Sequence, residues 1–295
     1  MVEYATDIIR SSQNLRENLE GAAQLFMEGP DNRAAYNNEV LFDAPFFGYA
    51  KGDDPIWLTF REGVGEDCWS PIEAFLRKYP HSDARSSDLT VVVIVCPQTE
   101  MTYNEQKKAK GFPGRRWVQS RFLHDQVIWG LCINLTSYLE SLGVPAVVPD
   151  LLEGFKQIPH PRFTITSQWS HRHAAFAAGL GTFGLCDGLI TKTGKAHRLG
   201  SVVLQASLEP TPRTYTEIYE HCLFFSSGTC GRCIARCPAG ALSPDGHDKN
   251  LCRDYLLKTT APGISRLWPE LDGAYGCGLC QSAVPCGNRR PAFKS

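Results

Sequence analysis

Eight of the twelve cysteines in this 295-residue chain fall between Cys222 and Cys286, and that crowding limits what the C-terminal quarter can be. Cys68, Cys96, Cys132 and Cys186 are scattered over the first 220 residues. A secreted disulfide scaffold would be shorter and would carry an export signal. Met1-Val2-Glu3-Tyr4 has no basic region followed by an apolar stretch, and no twin-arginine signal is visible. No apolar run reaches the length of a membrane span. Metal ligation in a cytoplasmic protein is therefore the expectation.

The first group is Cys230-Gly-Arg-Cys233-Ile-Ala-Arg-Cys237-Pro238, with Cys222 upstream. It matches the last three positions of the bacterial ferredoxin pattern C-x2-C-x2-C-x3-C-P. The first position of that pattern falls on Ser227, so Cys222 is proposed to reach in over a longer loop, with Ser227 as an alternative oxygen ligand. The second group is Cys252, Cys277-Gly-Leu-Cys280 and Cys286. A C-x2-C pair puts two thiolates on one tight turn, and the cysteine before proline leaves that turn for the other cluster. Crossed ligation of two [4Fe–4S] clusters follows: Cys222, Cys230, Cys233 and Cys286 for one, Cys237, Cys252, Cys277 and Cys280 for the other. Two structural zinc sites are the competing reading; the Cys-Pro ending, the x3 spacing and the lack of paired histidines weigh against them. The four scattered cysteines read as buried small hydrophobes.

Upstream, residues 6–28 show a helical stripe that includes Ile8, Ile9, Leu15, Leu19 and Phe26. Residues 29–66 are rich in Gly, Asp, Asn and Pro and look loop-heavy. Ser70-Pro71 caps a short helix over 70–79. Residues 88–96 are a continuous apolar run, as in a strand buried on both faces of an α/β sheet. Residues 118–142 form the longest helical pattern. Short strands are expected at 144–148, 163–166, 189–191 and 199–208, and a helix at 170–179. This alternation argues for one α/β domain over 1–212. Glu209-Pro-Thr-Pro-Arg213 reads as the linker to a small metal-built domain, 213–295, which needs little apolar core.

Gly179-Leu-Gly181-Thr-Phe-Gly184 is a literal G-x-G-x-x-G, but it follows a helix and not a strand, so a dinucleotide site is not expected there. Its glycines suit close approach of backbone to a large flat ligand. The segments Ala178-Gly-Leu-Gly-Thr-Phe-Gly184, Leu189-Ile-Thr191 and Arg198-Leu-Gly-Ser-Val202, followed by the two cysteine groups in this order, resemble epoxyqueuosine reductases, and respiratory reductive dehalogenases share much of the pattern. The resemblance covers roughly residues 88–290 and is strongest over 165–290.

That resemblance implies a nitroreductase-like α/β domain binding base-off cobalamin, followed by a ferredoxin-like α+β domain with two [4Fe–4S] clusters, one of them reducing the cobalt. It places cofactor contacts at Gly181, Thr182, Gly184, Leu185, Arg198, Gly200 and Ser201, and cluster ligands at the eight cysteines. A cobalamin-dependent reductase of unknown substrate is implied, with a ferredoxin or flavodoxin as electron donor and a small molecule or corrinoid protein as acceptor. The alternative is an electron-transfer or corrinoid-reducing protein without small-molecule turnover; a third is a ferredoxin module fused to a domain that has lost cobalamin.

The chain also departs from the family. The family's aspartate general acid aligns with Ile165, and no acid lies between Phe163 and Leu185. The family's C-terminal extension has no counterpart up to Ser295, and the second group ends Val-Pro-Cys286-Gly where the family has Cys-Pro-Trp-Asn. With a net charge of −1, Lys107, Lys108, Lys110, Arg115 and Arg116 are the one basic stretch, and no nucleic-acid partner is expected. His171 and His173, at i and i+2, do not share a helix face, so a joint metal site is not expected. One of them could face a cofactor as an acid. Arg198 could pair with a cofactor amide or a substrate anion. Asp245-Gly-His247 is a chance near miss of a corrinoid-carrier motif. Tyr103 and Trp117, flanking residues 111–114, pack as core or lid a pocket.

Overall fold

The structure, a computed structural model, describes residues 12–160 and 164–292. The helical stripe at 6–28 appears as helix Ser12–Glu28, and Ile8 and Ile9 lie outside the described residues. Among the described residues the strands are, in order, β1 Phe46–Lys51, β2 Thr90–Pro97, β3 Ala146–Val147, β4 Gln157–His160, β5 Thr164–Ser167, β6 Gly181–Phe183, β7 Leu189–Thr191, β8 His197–Leu204, β9 Leu242–Ser243 and β10 Gly246–His247. The chain is mixed α/β. Its main sheet has the order β1-β2-β8-β3, and every pairing in it is antiparallel.

β2 explains its own sequence. Val91, Val93 and Val95 face one apolar cluster with Trp57, Phe75, Trp169 and Phe176. Val92, Ile94 and Cys96 face another with Leu15, Leu19, Leu131 and Leu135. Alternate side chains leave opposite faces of a strand, so helices on both faces demand apolar residues at every position. The sheet is helix-covered on both faces, as in an α/β layer, without being parallel.

Two expectations need correction. Residues 29–66 are largely loop and turn, but they also carry two elements that the composition hides, β1 and the helix Ile56–Val64. Gly48 sits mid-strand because a Cβ would come within 2.5 Å of the Leu180 side chain, so this glycine marks close packing and not a turn. The long helix expected over 118–142 is three pieces: helix Arg115–Phe122, a π-helical turn Asp125–Trp129 and helix Gly130–Ser141. A π-turn adds a residue to the helical repeat, which the apolar period does not register. Elsewhere Ser70 caps Pro71–Lys78 with a full capping box, its hydroxyl accepting from Glu73 N while the Glu73 carboxylate accepts from Ser70 N. Among the described residues no helix is long and apolar enough to cross a membrane.

The C-terminal residues are short elements with little apolar packing of their own, and they lean on the sheet domain. Lys195 N donates to Cys286 O and Ala196 N to Gly287 O, both at 2.9 Å. Gln106 Nε2 donates to Cys277 O at 2.6 Å, and Arg236 Nη1 to Ala109 O at 2.8 Å. Val118 shares an apolar cluster with Ile264, Leu271 and Ala274.

Candidate functional site

Cys222 opens the one-turn helix Leu223–Ser227, which Gly228 ends in the left-handed region at φ 65°. The reversal returns the chain so that Cys230 and Cys233 come back beside Cys222. Together with Cys286 from the far end of the chain they line one small pocket, walled by Leu185, Phe224, Val284 and Pro285. These four are the cysteines that crossed pairing groups together. Ser227, the alternative oxygen ligand, does not line it; its hydroxyl donates to Leu223 O and partners Thr229 on the exposed side. Burial pushes the Cys233 thiol up to about 12, and the sulfurs of Cys186, Cys286 and Cys222 add to the effect against the charge of Lys195.

The other expected set is also drawn together. Burial raises Cys277 to about 11, reinforced by the nearby sulfurs of Cys252 and Cys237. Cys280 feels Cys277 in turn. Ala241 N donates to Cys237 Sγ at 3.3 Å. His247 donates Nδ1–H to Asp187 Oδ2 at 2.9 Å, so the Asp245-Gly-His247 stretch serves a local ion pair beside Cys252. Among the described residues no three His, Cys, Asp or Glu side chains converge as the ligands of a single ion.

Sequence reasoning set Cys186 aside with the core cysteines. Cys68, Cys96 and Cys132 are indeed core. Cys186 is different: it lies between the two cysteine groups, with Lys195 Nζ donating to its sulfur at 3.1 Å and to Cys280 O at 3.1 Å. Its hydrogen bond with Cys280, helped by the Lys195 ammonium, holds the thiol well below the ordinary range. Lys195 is 3% exposed. Burial alone would strip its proton, but the sulfurs of Cys186, Cys286 and Cys280 outweigh burial and hold the amine charged. Lys195 sits in the polar turn Thr191-Lys-Thr-Gly-Lys195 and carries no sequence signal that sets it apart from Lys192.

The residues expected to touch cobalamin divide sharply. A Cβ at Gly181 would lie 2.2 Å from Ile190 O, and one at Gly200 would lie 2.6 Å from Cys132 Sγ. These glycines admit protein, not open space. Gly184 packs against Ile190, and Thr182 Oγ1 accepts from His221 N at 2.8 Å. Leu185 walls the cysteine pocket. Ser201 Oγ accepts from Trp169 Nε1 and partners His171 Nδ1, each at 2.8 Å. Arg198 alone keeps an unengaged polar atom: its buried Nε has no partner.

Around Arg198 a polar network crosses elements that the sequence does not bring together. Asp150 Oδ2 accepts from Trp129 Nε1 at 2.9 Å and from His171 Nε2 at 3.0 Å. Burial acts to raise the Asp150 carboxyl, but His171 and Trp129 prevail and hold it below the usual range. The π-turn is what brings Trp129 here. His171 therefore links Asp150 to Ser201, while His173 points away into a ring cluster with Phe60 and Phe183 at 4.9 and 4.8 Å. Tyr103 and Trp117 pack on the C-terminal loops: a Cβ on Gly287 would meet the Tyr103 hydroxyl, and one on Gly278 the Trp117 indole. Arg115 pairs with Glu270 and Glu39, and Arg116 with Glu39 and Glu105, so both arginines of the basic stretch are neutralised in place.

The sequence matches no family model and no curated protein. Solved structures are similar over most of the chain. A selenomethionine-labelled epoxyqueuosine reductase is 17% identical with a TM-score of 0.49, covering 96% of this chain and 68% of its own. Epoxyqueuosine reductase from Bacillus subtilis is 18% identical with a TM-score of 0.45 and the same coverage. A catabolic reductive dehalogenase is 12% identical with a TM-score of 0.50, covering 93% of this chain and 37% of its own. The resemblance read from the glycine and cysteine motifs thus has a counterpart in the fold, which this chain shares with the catabolic reductive dehalogenase.

Proposed function

We propose that this chain is an iron–sulfur oxidoreductase holding two [4Fe–4S] clusters, with residues 213–295 as a ferredoxin-like module and residues 1–212 as a nitroreductase-like module for base-off cobalamin. The observation that carries the cluster reading is the pocket lined by Cys222, Cys230, Cys233 and Cys286. Four cysteines on one pocket, two of them in ferredoxin spacing with Cys237-Pro238, favour a multi-iron body over one tetrahedral ion. When bound, the clusters would supply one-electron transfer and the cobalamin a reducible metal centre. The residues present fit the clusters: apolar walls exclude water from the first pocket, and the Lys195 ammonium offsets negative charge between the two cysteine groups. A ferredoxin or flavodoxin is the proposed donor in the cytoplasm.

The cobalamin part has narrower support. It rests on the fold likeness and on Arg198, the one expected contact that keeps an unengaged polar atom. The engagement of Gly181, Thr182, Gly200 and Ser201 with protein favours a second reading, an electron-transfer or corrinoid-reducing protein without small-molecule turnover.

Anaerobic purification should yield a brown protein with about eight iron atoms per chain. Cys222→Ala should lose one cluster's spectrum and about half the iron. Stoichiometric zinc with about two irons or fewer would overturn the cluster reading. Titration with hydroxocobalamin, followed by its visible spectrum, separates the two functional readings; no spectral change and no co-elution would leave the second.

A further inference from the structure

Three exposed large apolar side chains flank Cys222 in the chain. Ile218, Tyr219 and Phe225 keep 38%, 37% and 45% of their surface in solvent. The Tyr219 and Phe225 rings lie 4.3 Å apart, and Phe225 meets Phe224 edge to face at 5.2 Å. Phe224 in turn walls the pocket of Cys222, Cys230, Cys233 and Cys286. Single exposed apolar residues are ordinary on a protein surface, but a contiguous group beside a site marks an interaction surface. The same pocket is bordered by positive charge. Gly231 and Pro291 line it, and their chain neighbours Arg232 and Arg290 are exposed. Arg290 N donates to Lys192 O at 3.4 Å, and a Cβ on Gly194 would fall 2.5 Å from Arg289 N. Lys192, Arg289 and Arg290 therefore form one exposed basic group at the turn after β7. Among the described residues no ion pair engages these three or Arg232. Glu217 and Glu220 lie on the Tyr219 side, where Glu220 accepts from Thr216 N at 3.2 Å.

We propose that this surface docks an acidic one-electron carrier protein, with Tyr219, Phe224 and Phe225 as its apolar centre and Lys192, Arg232, Arg289 and Arg290 as its basic rim. The inference rests on the cluster reading above and adds where electrons enter, at the pocket of Cys222, Cys230, Cys233 and Cys286. An apolar centre with a charged rim is the anatomy of specific association, and rim charge acts chiefly on the rate of encounter. Four cations against two carboxylates steer an acidic partner in and hold a basic one off. Transient redox encounters bury little area, so a patch of a few aromatic rings is enough. Close docking matters because electron transfer weakens steeply with distance. In each encounter the carrier loses one electron and this chain gains it, with no bond made or broken.

The test uses the full chain purified anaerobically, photoreduced, and mixed by stopped flow with oxidised flavodoxin, whose semiquinone absorbs in the visible. Transfer in this direction crosses the same docked complex. The wild-type second-order rate constant should fall about tenfold from low to high salt. Lys192→Glu/Arg289→Glu/Arg290→Glu should lose about tenfold at low salt, and the glutamine triple at the same positions should fall between. Cytochrome c, a basic carrier, should show the reverse order. Phe225→Ser should slow flavodoxin severalfold at high salt, where charge is screened. Wild-type flavodoxin rates in both triple variants at wild-type iron content would overturn the proposal, as would a wild-type rate indifferent to salt. If the glutamate variant loses iron, the glutamine variant and the wild-type salt dependence decide. A wild-type chain without iron would instead remove the cluster reading, and this inference with it. A dimer in sedimentation that Phe225→Ser dissociates would assign the patch to a second copy of the chain and overturn the proposal as well.

Discussion

At the residue scale the buried histidines set a measurable pH dependence. Burial pushes His124 and His173 down to about 3 and His197 down to about 4. His197 Nε2 donates to Leu189 O at 3.0 Å, which needs only the neutral ring. The unfolded chain binds a proton on each below pH ~6.5, while the folded chain does not. The stability they contribute is therefore intact above that pH and lost progressively as pH falls toward the folded values. Each contributes about 1.4 kcal/mol per pH unit in that window. Urea unfolding at pH 5.5 should take up about three protons per chain from this source. His247, raised to about 9 by Asp187 and Cys252 against the effect of burial, has the opposite sign, and its contribution is lost as pH rises from ~6.5 to about 9. An unfolding midpoint that stays level between pH 7 and pH 5 would refute the assignment.

At the element scale, local chemistry was readable wherever it was self-contained. Ser70-Pro71 specifies its helix start through bonds within four residues. The break inside 118–142 was not readable, because its cause lies outside the helix: Trp129 reaches Asp150, twenty-one residues on. The Cys277-Gly278-Leu-Cys280 turn lies between these cases. Gly278 has φ 64°, and a Cβ there would fall 2.0 Å from Trp117 Nε1. Gly278→Ala should cost more than ~1 kcal/mol from backbone strain alone and also lower the iron content. Gly276, with no positive φ and its nearest neighbour at 3.5 Å, is the control, and Gly276→Ala should keep wild-type iron and Tm. Equal behaviour of the two variants, read by melting and iron assay, would show that the turn is not specified this way.

At the scale of the whole molecule, the tail is part of the sheet domain's surface. Lys195 is enclosed between strand β7 and the loop at Cys286, and the buried apolar partners of Val118, Ile264, Leu271 and Ala274, all lie beyond residue 260. A fragment of residues 1–212 should therefore expose Trp117 and Val118, bind a hydrophobic dye and aggregate, whereas the full chain should unfold in one transition. A soluble fragment with a cooperative melt of its own would contradict this. The linker Glu209–Arg213 is thus a boundary in composition, while the packing crosses it at several places.

The sequence by itself determined the periodicities and the ligand chemistry: a strand apolar at every position, a capped helix, and cysteine groups whose spacing implies turns that present sulfur. These depend on contacts a few residues apart, where side-chain type and backbone preference suffice. The tertiary structure alone decided the antiparallel sheet order, the gathering of Cys286 with Cys222, Cys230 and Cys233, and the placement of Cys186 beside Lys195. Each depends on which distant segments share a volume. Burial and counter-charge belong to that shared volume, and no single stretch of chain carries them.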